Sequence, residues 1–96
     1  MTIKEFRTKL PTLKDEERRI MEPLMGMLCP ISVAQMRKFQ NDWDFEGNPP
    51  PDGFDKYAAA QDKVILECLK IELSTLGTEV RKNYGLAPLT EDMEII

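Results

Sequence analysis

Apolar residues along this chain recur at intervals of three and four, the spacing that stacks side chains on one face of a helix. Ile3, Phe6 and Leu10 form the first such set. Thr2 and Glu5 precede it as a capping box, in which each side chain satisfies a backbone N–H that the first helical turn leaves orphaned. Pro11 ends this short helix. Thr12 with Asp15 marks a second start, and Asp15, Glu16 and Glu17 put negative charge on the positive end of the helix dipole. Leu13, Ile20, Leu24 and Met27 or Leu28 make its apolar stripe. Pro23 lacks an N–H, so this helix is expected to kink or stop there. Ser32 with Gln35 opens a third helix, with Val33, Met36, Phe39 or Gln40, and Trp43 along one face.

The periodicity then breaks. Residues 44–53 read DFEGNPPPDG, and neither a helix nor a central strand runs through Pro49, Pro50 and Pro51. Beyond them comes the strongest helical signal. Asp55 is the expected N-cap, Phe54 a staple residue before it, and the pattern continues to Tyr84. Gly85 supplies a left-handed C-terminal residue and Pro88 blocks resumption. The span is about 29 residues, or roughly 43 Å at 1.5 Å per residue. Its middle, Val64–Leu73, is apolar at seven of ten positions. Ile65, Leu69, Leu73, Leu76 and Val80 form one stripe, and Val64, Cys68 and Ile71 a second beside it. Only Lys63, Glu67 and Lys70 make a coherent polar strip. A helix apolar over most of its circumference needs cover on more than one side.

No alternating apolar and polar run predicts a strand. The expected fold is all-α: a small bundle of three shorter N-terminal helices packed on one long C-terminal helix, 55–84. One domain spans 1–89, with an acidic, Pro-rich loop at 44–54 and an acidic, apolar tail at 90–96. At 96 residues there is no room for a second core.

Composition narrows the chemistry. The chain has no histidine, which removes Ser-His-Asp and Cys-His catalysis and imidazole metal ligands. The formal net charge of −4 hides an uneven distribution. Residues 1–38 carry eight basic and five acidic side chains; residues 39–62 carry one and six, and the tail carries three acids and no base. No apolar run approaches the ~20 residues of a membrane span. The start, MTIKEFRTKL, has no apolar signal core, so a cytoplasmic product is expected. Cys29 and Cys68 lie in apolar company and read as reduced core thiols. A small, acidic, histidine-free composition of this kind is also frequent among phage and mobile-element accessory proteins.

Three motifs are candidate sites. Asp42, Asp44, Glu46 and Gly47 resemble the opening of an EF-hand loop, but position twelve is Gly53 where a bidentate Glu belongs, and position eight is Pro49. The expectation is therefore no bound metal and no cofactor, with Asp42, Asp44 and Glu46 the only candidate ligands. A helix-turn-helix can be drawn from 13–28 and 32–43, with Arg37 and Lys38 facing nucleic acid. Asp42 and Asp44 oppose phosphate at the end of that helix. Finally, the Met-rich segment Met21, Leu24, Met25 and Met27 and the tail residues Ile95 and Ile96 offer adaptable apolar contacts, although the tail can equally fold back on the bundle.

The favoured reading is a non-catalytic protein-interaction module: a small scaffold, assembly factor or regulator. It acts as a homo-oligomer across Ile65, Leu69, Leu73, Leu76 and Val80, with a second, unidentified protein as partner. A nucleic-acid-binding regulator is the alternative, and a divalent-metal helix-loop-helix protein the third reading.

Overall fold

In the computed structural model, residues 1–14, 16–45 and 54–95 are described. Helices dominate: α1 (Ile3–Lys9), α2 (Met21–Met27), α3 (Pro30–Phe45), α4 (Phe54–Glu72) and α5 (Thr75–Asn83). Two short 3₁₀ turns, Leu10–Thr12 and Glu17–Ile20, join α1 to α2. Among the described residues there is no strand, only an isolated antiparallel bridge between Thr2 and Glu94. The all-α expectation holds.

Local signals set several helix ends. The Glu5 N–H donates to Thr2 Oγ1 at 3.1 Å, and the Thr2 N–H donates to Glu5 Oε1 at 3.3 Å, completing the capping box of α1. Gly85 takes φ +73°, the Leu86 N–H reaches back to the Arg81 carbonyl, and the Gly85 N–H to that of Lys82. This pair of bonds is the Schellman ending that the sequence predicts for the last helix.

Other ends differ from expectation. Pro23 does not kink α2. It falls in the first turn, where a backbone N–H has no partner within the helix. Likewise α3 begins at Pro30 rather than after Ser32, because proline suits the first helical position and Ser32 is left inside the first turn, buried. The proposed cap residue Asp15, the loop 46–53 and Ile96 lie outside the described residues, as do the side chains of Trp43, Phe45, Phe54 and Asp55.

The larger correction concerns the long helix. What the periodicity predicts as one helix over 55–84 is two helices, broken at Leu73 and Ser74. Ser74 is extended (φ −79°, ψ 168°) and caps α5, its Oγ accepting the Gly77 N–H at 3.1 Å. Its own N–H bonds the Ile71 carbonyl at 3.0 Å.

The core gathers Ile3, Phe6 and Leu10 from the N-terminus, Ile20, Leu24 and Leu28 around α2, Met36 from α3, and Ile65 and Leu69 from α4. Leu89 and Ile95 complete it. The segment after α5 thus folds back. Its backbone pairs with the N-terminus through Ile3 N–H to Met93 O (3.0 Å), Lys4 N–H to Glu91 O (2.9 Å) and Ile95 N–H to Met1 O (2.9 Å). Ion pairs of Arg7 with Glu91 and of the Met1 amine with Glu94 flank this seam. Helix α3 runs antiparallel to α4. Near one end Cys29 meets Glu72, in the middle Gln35 meets Cys68, and towards the other Phe39 stacks on Tyr57 with ring centroids 5.6 Å apart.

Candidate functional site

The bend between α4 and α5 concentrates the unusual chemistry of this chain. It is tight enough to require glycine at position 77. A Cβ built there would lie 1.9 Å from the Ile71 carbonyl oxygen and 2.6 Å from the Glu72 Cα. Both are backbone atoms that cannot swing aside, so only glycine lets α5 pack this closely on the end of α4.

A buried ion pair pins the bend. Glu72 and Arg81 are 3% and 5% exposed, and Arg81 Nη1 meets Glu72 Oε1 at 2.5 Å. The same carboxylate oxygen accepts the Cys29 N–H at 2.9 Å. Cys29 directly precedes α3, so the negative charge sits at the positive end of that helix's dipole. Arg81 also donates from Nε to the Ala87 carbonyl (2.7 Å) and from Nη1 to the Met27 carbonyl (3.0 Å). One guanidinium therefore ties together α2, α4, α5 and the C-terminal segment. Glu72 Oε2 is buried with no protein hydrogen-bond partner among the described residues.

Beside this node, Cys68 is buried and donates to Gln35 Oε1 at 3.8 Å. Burial pushes its thiol above the ordinary value. A hydrogen bond with Ser32 pulls the other way, and the nearby carboxylates Glu72 and Glu67 push it further up. Both cysteines are free thiols. A second buried-side pair, Arg18 with Asp62, makes two hydrogen bonds of 2.9 Å and clamps the 3₁₀ turn before α2 onto α4.

Large apolar side chains are exposed on both sides of the bend. Leu76 is 69% exposed and Ile71 48%, one on each side of the break, and Tyr84 at the end of α5 is half exposed. Ile31, in the first turn of α3, is the remaining large exposed apolar residue among those described.

The structure redistributes the residues singled out from sequence. Ile65 and Leu69 have no accessible surface; the chain's own core takes them, so they offer nothing to a second copy in this conformation. Leu73 and Val80 are half-buried, and Leu76 alone of the five stands clear. The stripe is split because the helix that would carry it is split. Leu24 is core, whereas Met21, Met25 and Met27 are half-buried against it. Ile95 is core as well.

Arg37 and Lys38 are exposed on α3. They line an open cavity of about 630 Å³ with Leu28, Val33 and Asn41, and Asp42 lies in the same wall. The helix before them is not the single 13–28 element of the drawn helix-turn-helix. It is a 3₁₀ turn followed by two turns of α2, and only Leu28 and Cys29 separate α2 from α3. Asp42 is exposed, while Glu46 and the side chain of Asp44 lie outside the described residues. Among the described residues, no three histidine, cysteine, aspartate or glutamate side chains are grouped to hold a metal ion. Nor is any described helix long and apolar enough to cross a membrane.

Sequence reading passed over Glu72, Ser74, Gly77 and Arg81. A signal was present: Ser74 stands three residues before Gly77 inside an otherwise helical pattern, and serine in that position competes for the backbone as a cap. No protein-family model, curated protein or solved structure matches the chain.

Proposed function

We propose that this chain is a non-catalytic protein-interaction module that works as a homo-oligomer, in the manner of a small scaffold, assembly factor or regulator. The observation that carries this reading is the exposure of Leu76 and Ile71 on the two sides of the α4–α5 bend. Large apolar side chains exposed to water on both sides of a tight bend suit a contact surface. In the closed form a buried ion pair and a close glycine contact hold the bend. Two free, buried thiols suit a reducing compartment, which is the basis for assigning the module to the cytoplasm.

Light scattering after size exclusion tests the reading. The wild-type chain should have a mass of at least two protomers, and Leu76→Glu should reduce it to one. The competing assignment, nucleic-acid binding through exposed Arg37 and Lys38, is weakened by Asp42 in the same cavity wall. A mobility shift at low salt that vanishes in Arg37→Glu/Lys38→Glu, with a single-chain mass, would replace the first reading with the second.

A further inference from the structure

We propose that the α4–α5 bend is a hinge through which two copies of this chain exchange α5 and the segment 86–95. This rests on the homo-oligomer reading and specifies its partner, a second copy, and the mode of assembly.

The Glu72–Arg81 pair is geometrically incompatible with a continuous helix. In an uninterrupted helix, residues nine apart lie 180° around the axis and about 13.5 Å along it. Glu72 and Arg81 are nine apart, yet they share a hydrogen bond of 2.5 Å. Within one chain their pairing therefore exists only while the helix is broken. When the bend opens, the pair separates, and the Arg81 of a second copy can restore it.

The sequence around the break is also compatible with an open, continuous helix. Across residues 64–80 the apolar pattern stays in helical register, without a proline. Opened, Thr75, Leu76 and Gly77 would gain ordinary helical hydrogen bonds in exchange for the Ser74 cap. Leu73, Leu76 and Val80 would realign on one face, placing the exposed Leu76 in a continuous apolar seam along a helix about 45 Å long.

Everything α5 and the following segment touch can be rebuilt in the exchanged pair. Those contacts are the Arg81 bonds to Met27 O and Glu72, the backbone bonds joining Met93, Glu91 and Ile95 to the N-terminus, and the ion pairs of Glu91 and Glu94. Only the hinge contacts themselves are lost. An exchange that conserves every other contact costs little, which is what makes swapping a direct route to a dimer.

Two substitutions move the hinge in opposite directions. Gly77→Ala cannot fit the bend, since its Cβ would strike the Ile71 carbonyl, but it suits a continuous helix. Thr75→Pro does the reverse. Position 75 opens α5, where proline is accepted, and extended Ser74 is the conformation proline prefers before it. In a continuous helix that proline would remove a hydrogen bond and clash with the preceding turn.

The masses of wild type, Gly77→Ala and Thr75→Pro should be measured by light scattering over a range of concentrations, with helix content followed by circular dichroism. Gly77→Ala should remain helical and become dimeric, because its Cβ collides with the Ile71 carbonyl only in the closed bend. Thr75→Pro should remain helical and weaken the dimer by about a hundredfold or more. A Gly77→Ala chain that is monomeric, folded or not, overturns the hinge. So does a dimer undiminished in Thr75→Pro, which leaves the interaction reading standing on a rigid surface. Wild type that is monomeric throughout overturns the exchange together with the oligomeric reading, whatever Gly77→Ala does.

Discussion

Replacing Arg81 with alanine should destabilise the fold by about 3–5 kcal/mol, the range found when one partner of a buried ion pair is removed. The structure places this variant at the severe end of single substitutions. Arg81 is 5% exposed and serves three acceptors: the Glu72 carboxylate and the carbonyls of Met27 and Ala87. Without it, Glu72 keeps the Cys29 N–H but holds its charge in a site that is 3% exposed, with Oε2 already lacking a protein partner. A domain of this size has about 5–15 kcal/mol of total stability, so the loss takes a large share. At roughly 4–8 °C per kcal/mol, the melting temperature should fall by about 12–40 °C.

Urea unfolding, followed by circular dichroism at a concentration where each variant has the same mass, measures the free energy. A companion variant separates charge burial from packing. Glu72→Met/Arg81→Met removes both charges and should recover part of the loss, because no unpaired charge is left behind although the Cys29 N–H and the Met27 and Ala87 carbonyls still lose their partners. A loss below about 1 kcal/mol for Arg81→Ala, or a double variant no more stable than the single one, would refute the claim that this pair locks the bend.

Two further outcomes follow from the electrostatics. Hydrogen bonds from the Thr2 backbone and hydroxyl hold the Glu5 carboxyl below its ordinary value, so the cap's contribution is full above the usual carboxylate range and is lost as pH falls through the lowered folded value. A carbon-detected NMR titration should place Glu5 below a Glu5 peptide reference, and Thr2→Ala should shrink the difference by removing the hydroxyl while leaving the backbone N–H; a titration at the reference value in the intact chain contradicts the cap. Burial raises the Cys68 thiol, so in the folded chain iodoacetamide at neutral pH should modify Cys68 at least ~100-fold more slowly than in urea; equal rates would mean that the α3–α4 interface does not enclose it.

Features set by neighbouring residues were legible in the sequence. The Thr2–Glu5 box and the Gly85 ending are each contained within a few residues, and the structure forms both. The helical identity of 30–45 and 54–72 follows from periodicity in the same way. The break at Ser74 was not legible because its stabilisation is non-local. Apolar spacing runs straight through Leu73, Leu76 and Val80, and the groups that overrule it, Cys29, Met27 and Ala87, lie far away or beyond the helix. Glu72 looks like a solvated position until Arg81 folds back onto it. The fate of the C-terminal residues was equally hidden. Leu89, Met93 and Ile95 are apolar among acids, a pattern that suits a free docking tail as well as an edge, and only the backbone pairing with Met1, Ile3 and Lys4 decides for the edge. Of the five stripe residues Leu76 is exposed, whereas Ile65 and Leu69 are taken into the core by the chain's other helices, a burial that spacing along one helix does not reveal.

The account stands on self-association through the bend, and the mass of the intact chain in solution tests it most directly. Sedimentation equilibrium from micromolar to millimolar concentration should give at least twice the 11.1 kDa of one chain, falling to 11.1 kDa when Leu76 is changed to glutamate. A wild-type mass of 11.1 kDa across that whole range would contradict it.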